Sequence, residues 1–111
     1  MEQDAYVRSA DCYFMNRDFA KANSMYDNVI NNALPQSDYA YFQKAICYGF
    51  VSKNDKKIEE LNSFLQLYPK SEYRDDAFFE LANTYVAQNK PDLAIKTYDK
   101  LNAEFKNGSF T

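Results

Sequence analysis

The chain has 111 residues, with 13 basic and 16 acidic side chains, no histidine, two glycines and three prolines. That length suits one domain around one core, and so few turn residues argue against a strand-rich fold, which needs a break every eight to twelve positions or so. The missing histidine removes His-based general bases, triads and metal clusters, and a mildly acidic balance without a basic stripe excludes the counterion displacement that nucleic-acid binding requires.

The remaining segments read as six helices in chain order. Tyr6, Ala10 and Tyr13 share one helical face, and Asn16-Arg17-Asp18 turns the chain. Ala22, Tyr26, Val29 and Ile30 form the apolar side of a second helix, which closes at Leu34-Pro35-Gln36-Ser37. Ser37 is placed to cap a third helix carrying Tyr41, Ala45 and Tyr48. A break at Asn54-Asp55, with Asp55 as cap, precedes Ile58, Leu61, Phe64, Leu65 and Tyr68, and Pro69-Lys70-Ser71 ends that fourth helix. Ser71 is expected to cap the fifth, where Phe78, Leu81, Ala82 and Tyr85 follow the spacing i, i+3, i+4, i+7. After Asn89-Lys90, Pro91 opens a sixth helix, because the first helical position needs no backbone donor. Its buried face is predicted to hold Ala94, Ile95, Tyr98, Leu101 and Phe105, and it ends near Lys106.

These helices repeat in pairs. Ala10-Asp11-Cys12-Tyr13, Ala45-Ile46-Cys47-Tyr48 and Ala82-Asn83-Thr84-Tyr85 each begin with Ala and end with Tyr, 35 and then 37 residues apart. Tyr6, Tyr41 and Phe78 stand four residues before each alanine. A period in this range signals stacked helical units.

The three segments resemble the tetratricopeptide repeat. That pattern places a large residue, Leu with a small residue, and Tyr in the first helix, then Ala, an aromatic, a small residue and Pro in the second. The third unit matches at Phe78, Leu81, Ala82, Tyr85, Ala94 and Tyr98, with Lys106 in place of the closing proline. The first matches at Tyr6, Ala10, Tyr13, Ala22 and Tyr26, and the second at Tyr41, Ala45, Tyr48 and Pro69. In the second unit Lys57 replaces the small residue that lets paired helices approach. Either that pair splays or the lysine stem runs out along the apolar surface. The stretch from Tyr68 to Ala82 is also similar to the junction in bacterial envelope repeat proteins, the Tol–Pal-associated division coordinator and the outer-membrane assembly lipoprotein. Phe105 to Phe110 echoes Tyr68 to Tyr73, which suggests a further repeat.

The resemblance implies an all-α fold: three tandem helix–turn–helix units, six antiparallel helices, in a right-handed superhelical solenoid. Residues 1–111 then form a single domain with repeats at about 3–36, 38–71 and 75–108, a segment of a longer array. It also implies a groove lined by the first helix of each unit. Here that groove carries Val7, Asp11, Phe14, Tyr39, Phe42, Ile46, Phe50, Phe79, Asn83 and Val86, with Met15 and Gly49 beside them. A surface this aromatic suits a protein or peptide partner. Co-chaperone repeats hold a C-terminal carboxylate with basic groove residues, and Val7, Phe42 and Phe79 stand where such a lysine would be needed.

The functional expectation is a protein-binding scaffold that is no enzyme and needs no cofactor or metal. The alternative is an architectural or self-associating segment of a larger envelope protein, with no ligand of its own. Nucleic acid is not an expected partner, and no apolar run approaches the roughly 18 residues of a membrane span. The envelope likeness favours a bacterial periplasmic setting over the cytoplasm, while the start Met1-Glu2-Gln3-Asp4 is acidic where a secretory signal would be basic and then apolar, which leaves the compartment open. Asp75-Asp76 reads as a pair of acids at the positive end of a helix dipole, not a catalytic dyad. Cys12 and Cys47 recur at one repeat position, on neighbouring helices too far apart for a disulfide, and are expected as free, half-buried thiols. Ile95, Leu101 and Phe105 are expected partly open at the end of the array, inviting a homo-oligomer through the uncapped last helix.

Overall fold

The computed structural model describes residues 3–105, which form six α-helices and no strand: α1 (Gln3–Met15), α2 (Phe19–Asn31), α3 (Ser37–Phe50), α4 (Asn54–Leu67), α5 (Arg74–Ala87) and α6 (Pro91–Glu104). Each helix packs on the next, and the array measures 42 × 32 × 20 Å. The all-α repeat architecture is as the sequence predicts. Lys106 and the echo at Phe110 lie outside the described residues. Among the described residues no helix is long and apolar enough to cross a membrane.

The recurring alanines explain the pairing. Ala10, Ala45 and Ala22 are wholly buried, as is Ala82, and Ala94 nearly so. A side chain that stops at Cβ lets helix axes approach to the short end of their usual 8–10 Å or so. Two apolar clusters follow. Val7, Ala10, Phe19, Ala22, Tyr26 and Val29 meet Ala40 and Cys47, joining α1 and α2 to α3. Ala45, Leu61, Phe64, Ala77 and Leu81 join α3 and α4 to α5. Because α3 contributes to both, the units share core instead of merely touching. Tyr13 and Tyr85 are half-buried against these clusters, and Tyr48 is half-buried too.

Four helices end in one backbone device. The amide of Asp18 donates to Tyr13 O at 2.8 Å, Leu34 to Val29 O at 3.1 Å, Lys53 to Tyr48 O at 2.8 Å and Lys90 to Tyr85 O at 2.9 Å. The residue before each donor is left-handed: Arg17 at φ 64°, Ala33 at 50°, Ser52 at 64° and Asn89 at 60°. This is the Schellman closure, usually built on glycine. Here no glycine occupies it, which reconciles sharp turns with the chain's low glycine content.

Several local expectations are corrected. The turn of the second unit lies at Val51-Ser52-Lys53, so Asp55 sits inside the first turn of α4 and Lys53, not Asp55, takes the cap position. The left-handed Ser52 has already reversed the chain before Asp55 is reached. Ser37 is the first residue of α3, and its hydroxyl donates backwards to Val29 O at 3.2 Å and to Leu34 O, closing α2 rather than capping α3. Ser71 accepts from the Tyr73 amide at 3.1 Å and donates to Asp38 at 2.6 Å, tying the α4–α5 connection to α3 instead of capping α5. Asp18 does cap α2, accepting from the Lys21 amide at 3.3 Å, and Pro91 opens α6. The cysteines are free but not half-buried: Cys12 is exposed and Cys47 fully buried, so burial pushes the Cys47 thiol up to about 12. Ile95 is 57% exposed, and Ala94 and Thr97 take the inner side of α6.

Lys57 does not splay its helix pair. Its stem crosses the bare backbone of Gly49, and its ammonium reaches Glu80 on α5 at 2.9 Å with the side chain only 14% exposed. Glycine has taken over the role of the missing small residue, from the opposite helix.

Candidate partner-binding face

The ten predicted groove residues all lie on α1, α3 and α5, the first helices of the three units. The structure sorts them by availability. Val7 is buried in the first core, with 5% of its surface left exposed. Asp11, Phe14, Tyr39, Phe42 and Ile46 are half-buried. Phe50, Phe79 and Val86 are 51%, 52% and 56% exposed, and Asn83 is exposed between the last two. An exposed phenylalanine is unremarkable alone. Here three large apolar side chains recur along one side of two successive units.

The half-buried members hold the face in shape. The Asp11 carboxylate accepts hydrogen bonds from the hydroxyls of Tyr26 and of Tyr39, the latter at 3.0 Å, and thereby links α1, α2 and α3. Gln43 donates to the Tyr39 oxygen at 3.2 Å. Burial, together with the bond to Asp11 and its charge, pushes the Tyr39 hydroxyl up to about 12 and raises Tyr26 for the same reasons. Phe14 meets Phe19 and Phe50 edge-on at 5.5 and 5.7 Å, while Phe50 stacks on Phe19 at 5.1 Å. The Arg17 guanidinium lies 5.6 and 5.8 Å from the Phe19 and Phe50 rings. Phe79 has one edge against Tyr98 at 6.3 Å, and the Tyr98 hydroxyl donates to the Asn83 side chain.

Two residues behave differently from their sequence reading. Gly49 does not offer a smooth patch of groove, since it is covered by Lys57. Tyr73, read in the sequence only as part of the repeat junction, was not among the predicted face residues because it precedes α5 and belongs to no helical pattern. Its ring stacks on Phe42 at 6.2 Å and tilts against Tyr39 at 5.4 Å, so the inter-unit connection covers part of the α3 face. Met15, at the end of α1, is 82% exposed.

The face is chemically two-sided. A cleft of about 390 Å³ near the helix starts is lined by Asp11, Asp38 and Glu72 against the one base Arg8, with Val7, Gln36 and the rings of Tyr39 and Tyr73. Acidity extends along α5, where partial burial and the charges of Asp75 and Glu80 raise the Asp76 carboxyl. Towards the helix ends the surface turns apolar, at Met15, Phe50 and Val86.

The tetratricopeptide repeat family model matches this chain three times, over residues 4–37, 39–71 and 76–108. Among solved structures, the crystal structure of the C-terminal part of a TPR repeat-containing protein from Cytophaga hutchinsonii is similar, with TM-score 0.64 and 21% identity. The likeness covers 87% of this chain and 37% of that one, so the chain spans well under half of its structural relative. No curated protein matches. Repeats of this family are in general protein–protein interaction modules. With three family matches over nearly its whole length and six helices folded to suit, the chain belongs to the tetratricopeptide repeat family.

Proposed function

We propose that the chain is an interaction scaffold whose first-helix face receives an extended or helical segment of a protein partner, with apolar contact at Phe50, Phe79 and Val86. The observation that carries this reading is their exposure, about half of each residue, in a fold that buries Phe19, Phe64 and Phe78. Aromatic anchors held by neighbouring rings lose little entropy on binding. The array is read as a segment of a longer one. The likeness of Tyr68 to Ala82 to envelope repeat proteins supports a bacterial envelope setting.

The architectural alternative draws on Tyr73, which already fills part of the face from within. Affinity capture with the wild-type chain and with a Phe50→Ala, Phe79→Ala double variant separates the two. Both sites are exposed, so helicity should persist. Truncating a contact anchor costs about 2 kcal/mol or more, which is roughly 30-fold in affinity, and a partner held by this face should drop out of the capture. Unchanged capture by a folded double variant removes the groove reading.

A further inference from the structure

The cleft at the start of α3 lies inside the array. Both of its walls belong to the described chain, α1 on one side and the 68–73 connection on the other. Three acids, Asp11, Asp38 and Glu72, line it against the single base Arg8. The rings of Tyr39 and Tyr73 meet there at 5.4 Å, tilted by 55°. Both tyrosine hydroxyls that bond to Asp11 donate to its Oδ1, so Oδ2 can accept another donor. Burial and the charges of Glu72, Asp38 and Asp76 raise the Tyr73 hydroxyl, so α5 adds a carboxylate to the same spot.

Ion pairs among the described residues join Lys21 to Asp18, Lys44 to Asp27, Lys57 to Glu80 and Arg74 to Glu104, and none of these reaches the cleft. Among the described residues no three acids stand close enough to hold a metal ion. Carboxylates spread around aromatic rings suit an ammonium or guanidinium on a long stem, which meets charge and ring face together. Nucleic acid and anionic lipid are repelled by the same charge. Towards the end of α3 the neighbouring charge is positive instead. There Phe50 is 51% exposed, with the Arg17 guanidinium 5.8 Å from its ring.

We infer that the partner segment is cationic at one point and apolar at another. Its arginine or lysine seats in the cleft at Asp11, Tyr39 and Tyr73, while a large apolar side chain lies on Phe50. Tyr39 and Phe50 share α3, and at 1.5 Å per residue they stand about 16 Å apart. That span is about five residues of an extended partner or about eleven of a helical one. The inference rests on the groove reading above and names the chemistry of the partner.

Fluorescence anisotropy with dye-labelled peptides tests this. Each peptide places leucine about five or about eleven residues from a position filled by arginine in one version and glutamate in the other. In at least one spacing the arginine version should bind roughly tenfold tighter at low salt, and the gap should narrow as salt is raised. Glu72→Gln with Asp76→Asn, both at exposed sites, should remove most of that gap with helicity unchanged by circular dichroism. Equal affinities in both spacings, no binding by either version, or a gap that survives the double variant overturns the inference. Phe50→Ala should weaken both versions alike. A missing charge preference beside a preserved Phe50 effect sinks this inference alone, whereas peptides indifferent to Phe50→Ala sink the groove reading with it.

Discussion

Gly49 and Lys57 should behave as one unit. A Cβ placed on Gly49 would lie 2.9 Å from Lys57 Cδ and 3.3 Å from both Cε and Nζ, so Gly49→Ala forces the lysine out of its seat. Alanine in a helix interior is worth about 0.8–1 kcal/mol over glycine. Against this stands the loss of stem packing and of the ion pair with Glu80, which is 38% exposed and so partly screened. Together these are worth about 1 kcal/mol. Gly49→Ala alone should therefore leave stability within about 0.5 kcal/mol of wild type. Lys57→Ala alone should cost about 1 kcal/mol. Adding Gly49→Ala to it should recover nearly all of that, because no side chain then opposes the new methyl. A double-mutant cycle by urea denaturation followed by circular dichroism reads the coupling, expected near 1 kcal/mol. If Gly49→Ala stabilises equally in both backgrounds, the lysine stem does not occupy that space and the compensation argument fails.

Two further outcomes follow from the turns and the tyrosine cluster. Ala33, left-handed at φ 50°, bears a cost that glycine largely avoids. Ala33→Gly should stabilise by about 0.5–1 kcal/mol after the extra unfolded-state freedom is counted, raising Tm by roughly 2–6 °C. A lowered Tm would refute the left-handed assignment. Tyr26 and Tyr39 hold their protons above the ordinary tyrosine value of about 10. The unfolded chain gives those protons up first, so their contribution is whole below about pH 10 and drains away as pH rises towards the Tyr39 value of about 12. Tyrosinate absorbance and helicity, titrated together, should change in step over that window. Ten tyrosines all ionising near the ordinary value while the helices persist would contradict the buried network.

The helix pairs were legible because their signal is steric and repeated. Ala10, Ala45 and Ala82 recur where backbones approach, and all three prove fully buried. Local closures were less legible. Arg17, Ala33 and Ser52, unlike Asn89, give no sequence warning of a left-handed backbone, so the second turn was placed at Asp55, a residue type that favours caps. Ser37 and Ser71 look like caps as well, yet the Ser37 hydroxyl donates back to Val29 O and Leu34 O, and the Ser71 hydroxyl bridges the Tyr73 amide and Asp38. At the candidate face, the side of the helix could be read from spacing, but exposure could not. Val7 and Phe42 share a register with Phe79, and only Phe79 stands half in solvent, because the first core claims Val7 and Tyr73 covers Phe42. Tertiary neighbours decided that, and no single-helix pattern carries them.

The connection over residues 68–73 replaces the Schellman closure found at the other turns with a proline-bearing stretch, and α4 and α5 touch least of all successive helices. Polar contacts supplement the buried cluster of Leu61, Phe64, Ala77 and Leu81 that joins them. Lys57 reaches Glu80, and Arg74 donates to Leu65 O and Tyr68 O at 2.6 and 3.2 Å while pairing with Glu104. In a stacked array each seam carries its own share of cooperativity. Hydrogen exchange should then find α5 and α6 opening together as a hairpin, while the four preceding helices stay shut, which would make this seam the point where the molecule yields first to denaturant or tension.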